Sequence, residues 1–525
     1  MTSMKRLRVL AGFAVACAVP AAAGVLTVAE KRGKQIYLRG INAAGKEITA
    51  YLGNSAMEVP GSLMVCANCH GFDGRGNPEG GVAPSDITWP ALTKPYGVTH
   101  ESGRRHPAYT AALMERAIVV GLDPAGNKLN PAMPTYKMPA EDLSDLIAYL
   151  KGMADDVDPG LTDNTITLGT IVPHKGPLAG MGEALRAVLT AFFEDLNAQG
   201  GIYNRKIELR VAECGQGAAE TKEKVGRFVE EEGVFALVGA FIAGADKELA
   251  SLLEEKEVPL VGPSTLYPHI GYPLNRRVFY LFSGVKEESR ALATFAAQNL
   301  QATGARVTVL YPDDDSTAEV AAAVDSQCRK SGWDKVSKVP YARSQFDPKA
   351  LVKQLSGEGT NVVFFLGSGR EEVAVAEEAA KSGWKPSVLL PSSQAGREVL
   401  EASAAFQGKI YMSFPMRTSD QAPEAVAEYR AFAGRHKILG EHLAVTLSAY
   451  SAAKVLVEGL KKAGRNVSRE KLIVALEGMY RFNTGLTPPI TYGANRRIGA
   501  MGAYVVEVQL AKKNLVPISG WIELE

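Results

Sequence analysis

The chain has 525 residues, of which 46% are hydrophobic and 22% are charged, and its formal net charge is +1 at pH 7. This length exceeds one ordinary hydrophobic core and indicates about three or four folded units. A nearly neutral chain without long basic runs argues against nucleic acid or an anionic membrane surface as a partner.

The first residues have the pattern of an export signal. Basic residues precede an apolar stretch over 9–28 that contains a cluster of alanines. This pattern predicts a signal peptide over 1–23, cleaved after Ala23, and a mature protein in the periplasm. Two alternatives stay open, namely an uncleaved N-terminal membrane anchor and a lipid anchor on Cys17.

The composition and hydrophobic pattern of the sequence change twice after this segment. Residues 24–155 are rich in Gly and Pro and form one predicted domain, and the polar residues 156–164 form a predicted linker. Over 165–525, short apolar runs alternate with amphipathic helical patterns, which predicts two α/β lobes built on parallel sheets. The predicted strands cover 165–173, 206–214, 234–241, 258–264, 306–311, 361–367, 387–391 and 409–414, and the predicted helices cover 181–199, 218–232, 245–256, 286–300, 317–330, 371–381 and 424–436.

The strongest motif in the chain consists of Cys66, Cys69 and His70, with two thiols one helical turn apart and an imidazole directly after them. Thiols at this spacing reach the two vinyl groups of one porphyrin, and the following His becomes the proximal ligand of the iron. A redox dithiol and half of a zinc site are the alternatives. The export signal and a ligand further downstream favour one covalently attached haem c.

A second axial ligand is expected downstream, and Met133 is the predicted one. It lies between Pro131 and Pro134, and a stiff loop presents its thioether at a low cost in entropy. The alternatives are Met138, expected to pack in the core, and two histidines expected to be solvated at the surface, His100 and His106. Ligation by His and Met fills both axial positions of the iron, so such a site passes single electrons and leaves no position for a substrate.

Residues 30–152 resemble the small class I c-type cytochromes. The resemblance implies an all-α domain of three to five helices around one haem. The matching pieces are the haem motif itself, Gly33-Lys34-Gln35-Ile36-Tyr37, Gly74-Arg75-Gly76, Met133-Pro134-x-Tyr136 and Asp145-Leu146-Ile147-Ala148-Tyr149-Leu150.

The remainder of the chain resembles the type 1 periplasmic solute-binding proteins, specifically the branched-chain amino acid and amide receptors. The resemblance is carried by 169–173, 176–182, 238–241, 258–264 and the turn Asn197-Ala198-Gln199-Gly200-Gly201-Ile202. It implies two α/β lobes joined by three crossovers, with hinges near 283–287 and 408–415. A small solute is then expected to bind in the cleft between the lobes.

The sequence departs from that family at two ligand-binding positions. The family holds the ligand carboxylate with a hydroxyl-bearing loop, where this chain has 242–245, and the ligand ammonium with an acidic residue, where this chain has 392–395. A charged ammonium without a carboxylate is poorly compensated, so the sequence predicts a solute other than a zwitterionic amino acid. The candidate cleft residues, each of which is alternatively a cap or turn residue, are Ser264, Thr265, Tyr267, Ser368, Ser392, Ser393 and Gln394.

Two functions follow from this organisation, and neither is enzymatic because no catalytic constellation or open metal position is visible. In the first, the protein is a periplasmic mono-haem carrier of single electrons, with an unidentified redox partner protein and a fused solute-binding domain. In the second, it is the receptor of an ABC importer that delivers solute to a permease, and the tethered haem domain senses redox state.

Overall fold

A computed structural model describes residues 26–53, 55–78, 81–100, 102–242, 244–271, 273–300, 304–417, 420–438 and 440–524. The predicted signal peptide over 1–23 lies outside these residues. The described chain forms two compact units that divide between Asp158 and Pro159. The division falls inside the segment predicted as a linker, although the main-chain N–H of Thr167 already donates to the carbonyl of Gly160, 2.7 Å away.

The first unit is mainly helical. Its first helix begins with a capping box, in which the side chain of Thr27 accepts from the main chain of Glu30 and the Glu30 carboxylate accepts in return. The helices are α1 (Val28–Arg39), α2 (Cys66–His70), α3 (Trp89–Leu92), α4 (Ala111–Val120) and α5 (Ala140–Gly152). The strands are β1 (Thr49–Leu52), β2 (Met57–Pro60), β3 (Val98–Thr99), β4 (Arg105–His106) and β5 (Thr135–Lys137).

Helices α1 and α5 pack directly on one another through Gly33. A Cβ atom at this position would lie 2.0 Å from the main-chain oxygen of Asp145, so only glycine allows the approach. Arg32 secures the same contact through two hydrogen bonds to the Asp145 carboxylate, 2.6 and 3.0 Å long. The predicted all-α domain also contains a small antiparallel sheet of order β2-β1-β5 and a ladder of β3 with β4.

The second unit has two lobes, each built around one sheet. The sheet of the first lobe is parallel throughout, in the order β16-β10-β9-β8-β6-β7. Its strands are β6 (Thr165–Val172), β7 (Lys206–Glu213), β8 (Ala236–Val238), β9 (Leu260–Val261), β10 (Val278–Phe282) and β16 (Ile498–Ala500), and its helices are α6 (Ala179–Ala198), α7 (Ala218–Glu231), α8 (Asp246–Glu255), α13 (Pro423–Arg435), α14 (Leu443–Ala463) and α15 (Arg469–Glu477).

The sheet of the second lobe is parallel from β12 to β15 and gains antiparallel strands at one edge. Its order is β12-β11-β13-β14-β15-β17-β18, and β19 also pairs with β17. Its strands are β11 (Val307–Pro312), β12 (Val336–Tyr341), β13 (Val362–Phe365), β14 (Ser387–Pro391), β15 (Ile410–Phe414), β17 (Gly502–Gln509), β18 (Asn514–Pro517) and β19 (Ile522–Glu523), and its helices are α9 (Gly284–Asn299), α10 (Asp315–Lys330), α11 (Pro348–Gly357) and α12 (Gly369–Ser382).

The chain passes between the two lobes three times, which confirms the predicted fold class. It crosses between β10 and α9 around Ser283, between β15 and α13 after Phe414, and between β16 and β17 around Met501. In each sheet the parallel strands have their carboxyl ends at the same edge. Open α/β sheets bind their ligands at that edge.

One helix among the described residues, Gly440–Ala463, is long and apolar enough to cross a membrane by length and composition. However, 67% of its most apolar window is buried inside the protein. Leu447, Leu456 and Leu460 belong to the hydrophobic core of the first lobe. These contacts are those of a core helix.

Candidate haem and solute sites

Helix α2 holds the two cysteines of the haem motif one turn apart, so that they share one face of the helix. Both thiols are free. The helix stops at Gly71, which has a positive φ of 75°. The chain then folds back, and the N–H of Gly76 donates to the carbonyl of His70 at 2.8 Å. Burial raises the pKa of the Cys66 thiol to about 12.

The orientation of His70 is set by the carbonyl of Ser85. Nδ1 of His70 lies 2.9 Å from that oxygen. A carbonyl only accepts, so Nδ1 carries the proton and Nε2 keeps its lone pair. Burial also lowers the pKa of His70, which favours the neutral imidazole. A neutral imidazole whose second nitrogen is tied to a carbonyl is the usual form of a metal-ligating His, so the residues present fit the iron of a haem.

An apolar cluster surrounds this helix. The cluster is formed by side chains from all five helices of the unit and from the small sheet. Its buried members include Ile36, Tyr37, Ala67, Ile87, Leu92, Tyr109, Met114, Ile118, Tyr136, Leu146 and Leu150. Such an environment excludes water from a cofactor and raises the effect of each nearby charge.

Met133 and Met138 are both half-buried and pack against this cluster. Met133 lies in a tight turn, in which its N–H donates to the carbonyl of Asn130 at 2.8 Å. Met138 directly follows β5. The packing is therefore shared by both methionines, and Met133 as the second axial ligand stays a prediction.

His100 and His106 are not the solvated surface residues that the sequence suggests. His106 is only 6% exposed, and the Nε2 atoms of the two rings lie 2.9 Å apart. Nδ1 of His100 also lies 3.3 Å from Oγ of Ser85, the residue whose carbonyl holds His70. No local sequence signal indicates this pairing, because it depends on how the loop between α3 and α4 folds back.

In the first lobe, Thr265 follows β9 and donates through Oγ1 to a carboxylate oxygen of Asp246, 2.9 Å away. Asp246 is the first residue of α8 and is 6% exposed, and its other oxygen has no hydrogen-bond partner. Burial raises its pKa to about 7. The main chain of Ser264 pairs with Ala240 and Ile242, which holds the neighbouring strand ends together.

In the second lobe, the hydroxyl groups of Ser392 and Ser393 point to one carboxylate, that of Glu288 on α9. Ser413 donates to the same carboxylate at 3.2 Å. Glu288 is fully buried, and burial raises its pKa to about 7 despite these donors. Sequence reasoning missed both Asp246 and Glu288, because each is a single acidic residue in a helix with no motif around it.

Two more candidate residues join the lobes. Nε2 of Gln394, which follows β14, donates to the hydroxyl oxygen of Tyr267 at 2.6 Å. Tyr267 lies in the loop between β9 and β10 of the other lobe. The Oε1 atom of Gln394 is buried without a partner.

Ser368 has a different position from the other candidates. It caps α12 and forms a capping box with Glu371, in which its N–H and its hydroxyl both donate to the Glu371 carboxylate. The structure therefore brings Thr265 to Asp246, Ser392 and Ser393 to Glu288, and Tyr267 to Gln394. It gives Ser368 the role of a helix cap, the alternative that the sequence leaves open.

Known proteins match the two units separately. Residues 165–514 match the family model described as periplasmic binding protein, and residues 62–154 match the one described as cytochrome c. The Leu/Ile/Val-binding protein homolog 3 of Brucella melitensis is 25% identical over 305 residues, which cover 57% of this chain and 79% of that protein.

Solved structures agree with the fold of the second unit. A fatty acid ABC transporter substrate-binding protein from Thermomonospora curvata has a TM-score of 0.56 at 18% identity, covering 70% of this chain and 95% of its own. A branched chain amino acid ABC transporter protein from Thermus thermophilus with bound valine has a TM-score of 0.56 at 17% identity, covering 69% and 98%. At these identities the likeness shows the fold alone.

These findings correct one expectation from the sequence. The exclusion of a zwitterionic amino acid depends on the absence of a carboxylate over 392–395. The structure places the buried carboxyl of Glu288 directly behind Ser392 and Ser393, and a second one, Asp246, in the other lobe. Several relatives are also named for amino acids, so that exclusion no longer holds.

The cytochrome c match implies a covalently bound haem c in the first unit, and the relatives of the second unit are solute-binding proteins rather than enzymes. The match over 165–514 covers more than half of the sequence. The chain therefore belongs to the periplasmic binding protein family and carries a cytochrome c domain ahead of its binding domain.

Proposed function

We propose that this protein is a periplasmic carrier of single electrons with one haem c, fused to a domain that binds a small solute. The observation that carries this proposal is the contact between His70 and Ser85, because it fixes Nε2 as the free nitrogen beside two thiols on one helical turn. When bound, the haem supplies reversible one-electron chemistry.

The residues of the chain have separate tasks in this function. Cys66 and Cys69 bind the cofactor through thioethers, and His70 ligates its iron with Nε2 while Nδ1–H donates to Ser85. Met133 is the proposed second ligand. The surrounding apolar cluster excludes water. If His70 and Met133 both held the haem, it would supply one-electron exchange with a partner protein and the site would bind no substrate.

For the second unit we propose binding of a small solute between the lobes, with amino acids as the first class to test. The names of several relatives support this choice. Asp246 and Glu288, which lies behind Ser392 and Ser393, are the carboxyl groups that we propose offset an ammonium group, and Thr265, Tyr267, Ser264 and Gln394 are the further cleft candidates.

The alternative function is that of a receptor for an ABC importer, whose haem domain senses redox state. Two solved structures with the same fold are named for ABC transport, and this function is therefore the second one to test. The two functions differ in one measurable respect. An electron carrier that responds to solute changes its haem potential when solute binds, whereas a transport receptor binds solute with the same affinity in both redox states.

The experiment uses the full-length holoprotein exported to the periplasm. Haem attachment is measured by haem-dependent peroxidase staining of the denatured protein, and solute binding by thermal unfolding with leucine, isoleucine and valine. A solute at a hundredfold its Kd adds about 2.7 kcal/mol to the free energy of unfolding of the unit that binds it, a shift of at least a few degrees. Unstained protein contradicts the carrier function, and an unchanged Tm with all three excludes branched-chain amino acids.

A further inference from the structure

A continuous set of short contacts leads away from His70. Its Nδ1–H donates to the carbonyl of Ser85 at 2.9 Å, and Oγ of the same Ser85 lies 3.3 Å from Nδ1 of His100. Nε2 of His100 then lies 2.9 Å from Nε2 of His106. We name His100 and His106 together the histidine pair. Its rings lie with their centroids 5.1 Å apart.

The hydrogen bonds of the histidine pair show how many protons it holds. Nδ1 of His106 lies 2.8 Å from the carbonyl oxygen of Pro107, which only accepts, so this nitrogen carries a proton. Nε2 of His100 lies 3.0 Å from the guanidinium of Arg104, which only donates, so that nitrogen is unprotonated. The contact between the two Nε2 atoms then needs a proton on His106.

All three contacts are hydrogen bonds only when His106 is doubly protonated and His100 is neutral. Two neutral imidazoles lose at least one of the three. Burial and the charge of Arg104 also lower the pKa of His100, in agreement with its place as the neutral member. The histidine pair therefore holds one exchangeable proton, shared across a contact of 2.9 Å.

The charged groups that face the histidine pair are Arg104, Arg116 and Asp123, and together they carry one net positive charge. Arg104 pairs with the fully buried carboxylate of Asp123 at 2.8 Å, and the guanidinium of Arg116 on α4 donates to the main-chain carbonyl of Asp123. The hydroxyl-bearing ring of Tyr109 packs edge-on against His106. Asp123 offsets Arg104 but leaves the charge of Arg116, so the shared proton of the pair is held against a net positive charge and the loss of a positive charge close by favours it.

We propose that the histidine pair gives up its shared proton when the haem site beside His70 is oxidised and takes it up again from solvent when that site gains an electron, so that electron transfer by this protein is coupled to proton transfer. The inference requires that haem is bound as proposed above. One electron enters from the redox partner, one N–H bond forms on the histidine pair, and the net charge of the holoprotein does not change. On oxidation both leave again.

The physical reason is the charge of the site. Reduction removes one unit of positive charge next to His70, to which the histidine pair is connected through Ser85. The surroundings are apolar and have a low dielectric constant. At a separation on the order of 10 Å, such a change raises the proton affinity of an imidazole by about tenfold. The hydrogen bonds through Ser85 keep the pair at a fixed distance from His70.

The test is a potentiometric titration of the full-length holoprotein from about pH 5 to about pH 9, the range in which imidazoles titrate. We expect the midpoint potential to fall as the pH rises, by about 59 mV in all, which is the tenfold change in proton affinity converted at 59 mV per tenfold for one electron. Proton uptake upon reduction, measured with a pH indicator in weak buffer, gives the same coupling directly and needs no variant.

His106→Gln and His100→Gln each remove the shared proton, and both are expected to lose most of the slope and the proton uptake. His174→Gln, an exposed histidine of the other unit, is the control and keeps both. The absorption spectrum of the reduced haem shows whether each variant retains its iron ligands, and the second variant serves where the first does not fold.

Two results overturn the proposal: a parent potential that does not vary with pH, or a slope that persists in both pair variants and so belongs to another group, such as a haem propionate. Failure of the proposed function is distinguishable, because a protein without haem gives no redox signal at any pH.

Discussion

The side-chain amide of Gln394 donates to the hydroxyl oxygen of Tyr267 across 2.6 Å, and this bond connects a loop of one lobe to a strand end of the other. Both residues are largely shielded from solvent, and Oε1 of the same amide has no partner. The bond thus joins the two lobes directly through a polar contact.

Tyr267→Phe is expected to lower the free energy of unfolding of the second unit by about 1–3 kcal/mol, because it leaves a second polar atom of Gln394 unpaired. Urea denaturation followed by tryptophan fluorescence measures it. Tyr203→Phe is the control, since the hydroxyl of Tyr203 donates to the main-chain carbonyl of Lys461 at the exposed surface. Equal losses in the two variants would contradict a special role for the link between the lobes.

Replacing both Cys66 and Cys69 by Ala is expected to abolish covalent haem attachment, because no thioether remains. Haem-dependent staining of the denatured protein measures this. Cys214→Ala removes a free thiol of the second unit and leaves attachment unchanged. Residual staining in the double variant would mean that the haem is held by other residues.

Met133→Ala is expected to lower the midpoint potential and to let an added ligand such as imidazole bind the iron, because it opens one axial position. Met138 packs on the same cluster, so Met138→Ala serves as the matched control. We expect this variant to lose little stability and to keep the absorption spectrum of the parent. If instead Met138→Ala lowers the potential and Met133→Ala does not, the axial ligand is Met138.

Glu372 is 2% exposed, neither of its carboxylate oxygens has a hydrogen-bond partner, and burial raises its pKa to about 8. A raised pKa means that the folded state binds the proton more tightly than the unfolded state. The contribution of this carboxyl to the free energy of unfolding is therefore complete below about pH 4.5. It is lost as the pH rises through about 8, and the loss is on the order of a few kcal/mol.

Glu372→Gln is expected to reduce this dependence of the free energy of unfolding on pH and to leave the part that belongs to Asp246 and Glu288, whose pKa values burial raises to about 7. The measurement is urea denaturation of the full chain at several pH values. Glu377→Gln makes the same change of charge at an exposed position of the same helix and keeps the dependence. A parent whose stability does not fall between these pH values would show that the carboxyl finds a partner in solution.

Gly33→Ala is expected to destabilise the first unit by about 1–3 kcal/mol or more, since the new Cβ would lie 2.0 Å from the main chain of Asp145. Thermal unfolding followed through the haem absorbance measures it. Gly226→Ala, at a helical position whose nearest neighbour is 3.7 Å away, is the control and is tolerated. A tolerated Gly33→Ala would mean that α1 and α5 pack less closely.

The sequence predicts those features that depend on local pattern. The spacing of Cys66, Cys69 and His70 needs only one helical turn, and the apolar runs that form β6 and β13 are readable because both faces of those strands are buried. The cap at Ser368 also has a local signal, since Glu371 stands three residues later.

Features that depend on tertiary packing are the ones that the sequence does not reveal. Asp246 and Glu288 are ordinary helical acids until neighbouring strand ends bury them, and His106 is an ordinary loop histidine until the loop folds onto α4. The antiparallel strand β17 likewise has no place in a pattern of alternating strands and helices, because it follows the third crossover.

The contact of α1 with α5 also brings the two ends of the first unit together. The Glu30 side chain lies against Gly152, and Nζ of Lys34 lies 2.7 Å from a carboxylate oxygen of Asp156. A folded unit whose chain enters and leaves at neighbouring points tolerates circular permutation and insertion into another domain, because neither change disturbs its core. We therefore expect that a circular permutation joining these two ends of the first unit leaves the packing of α1 on α5 in place.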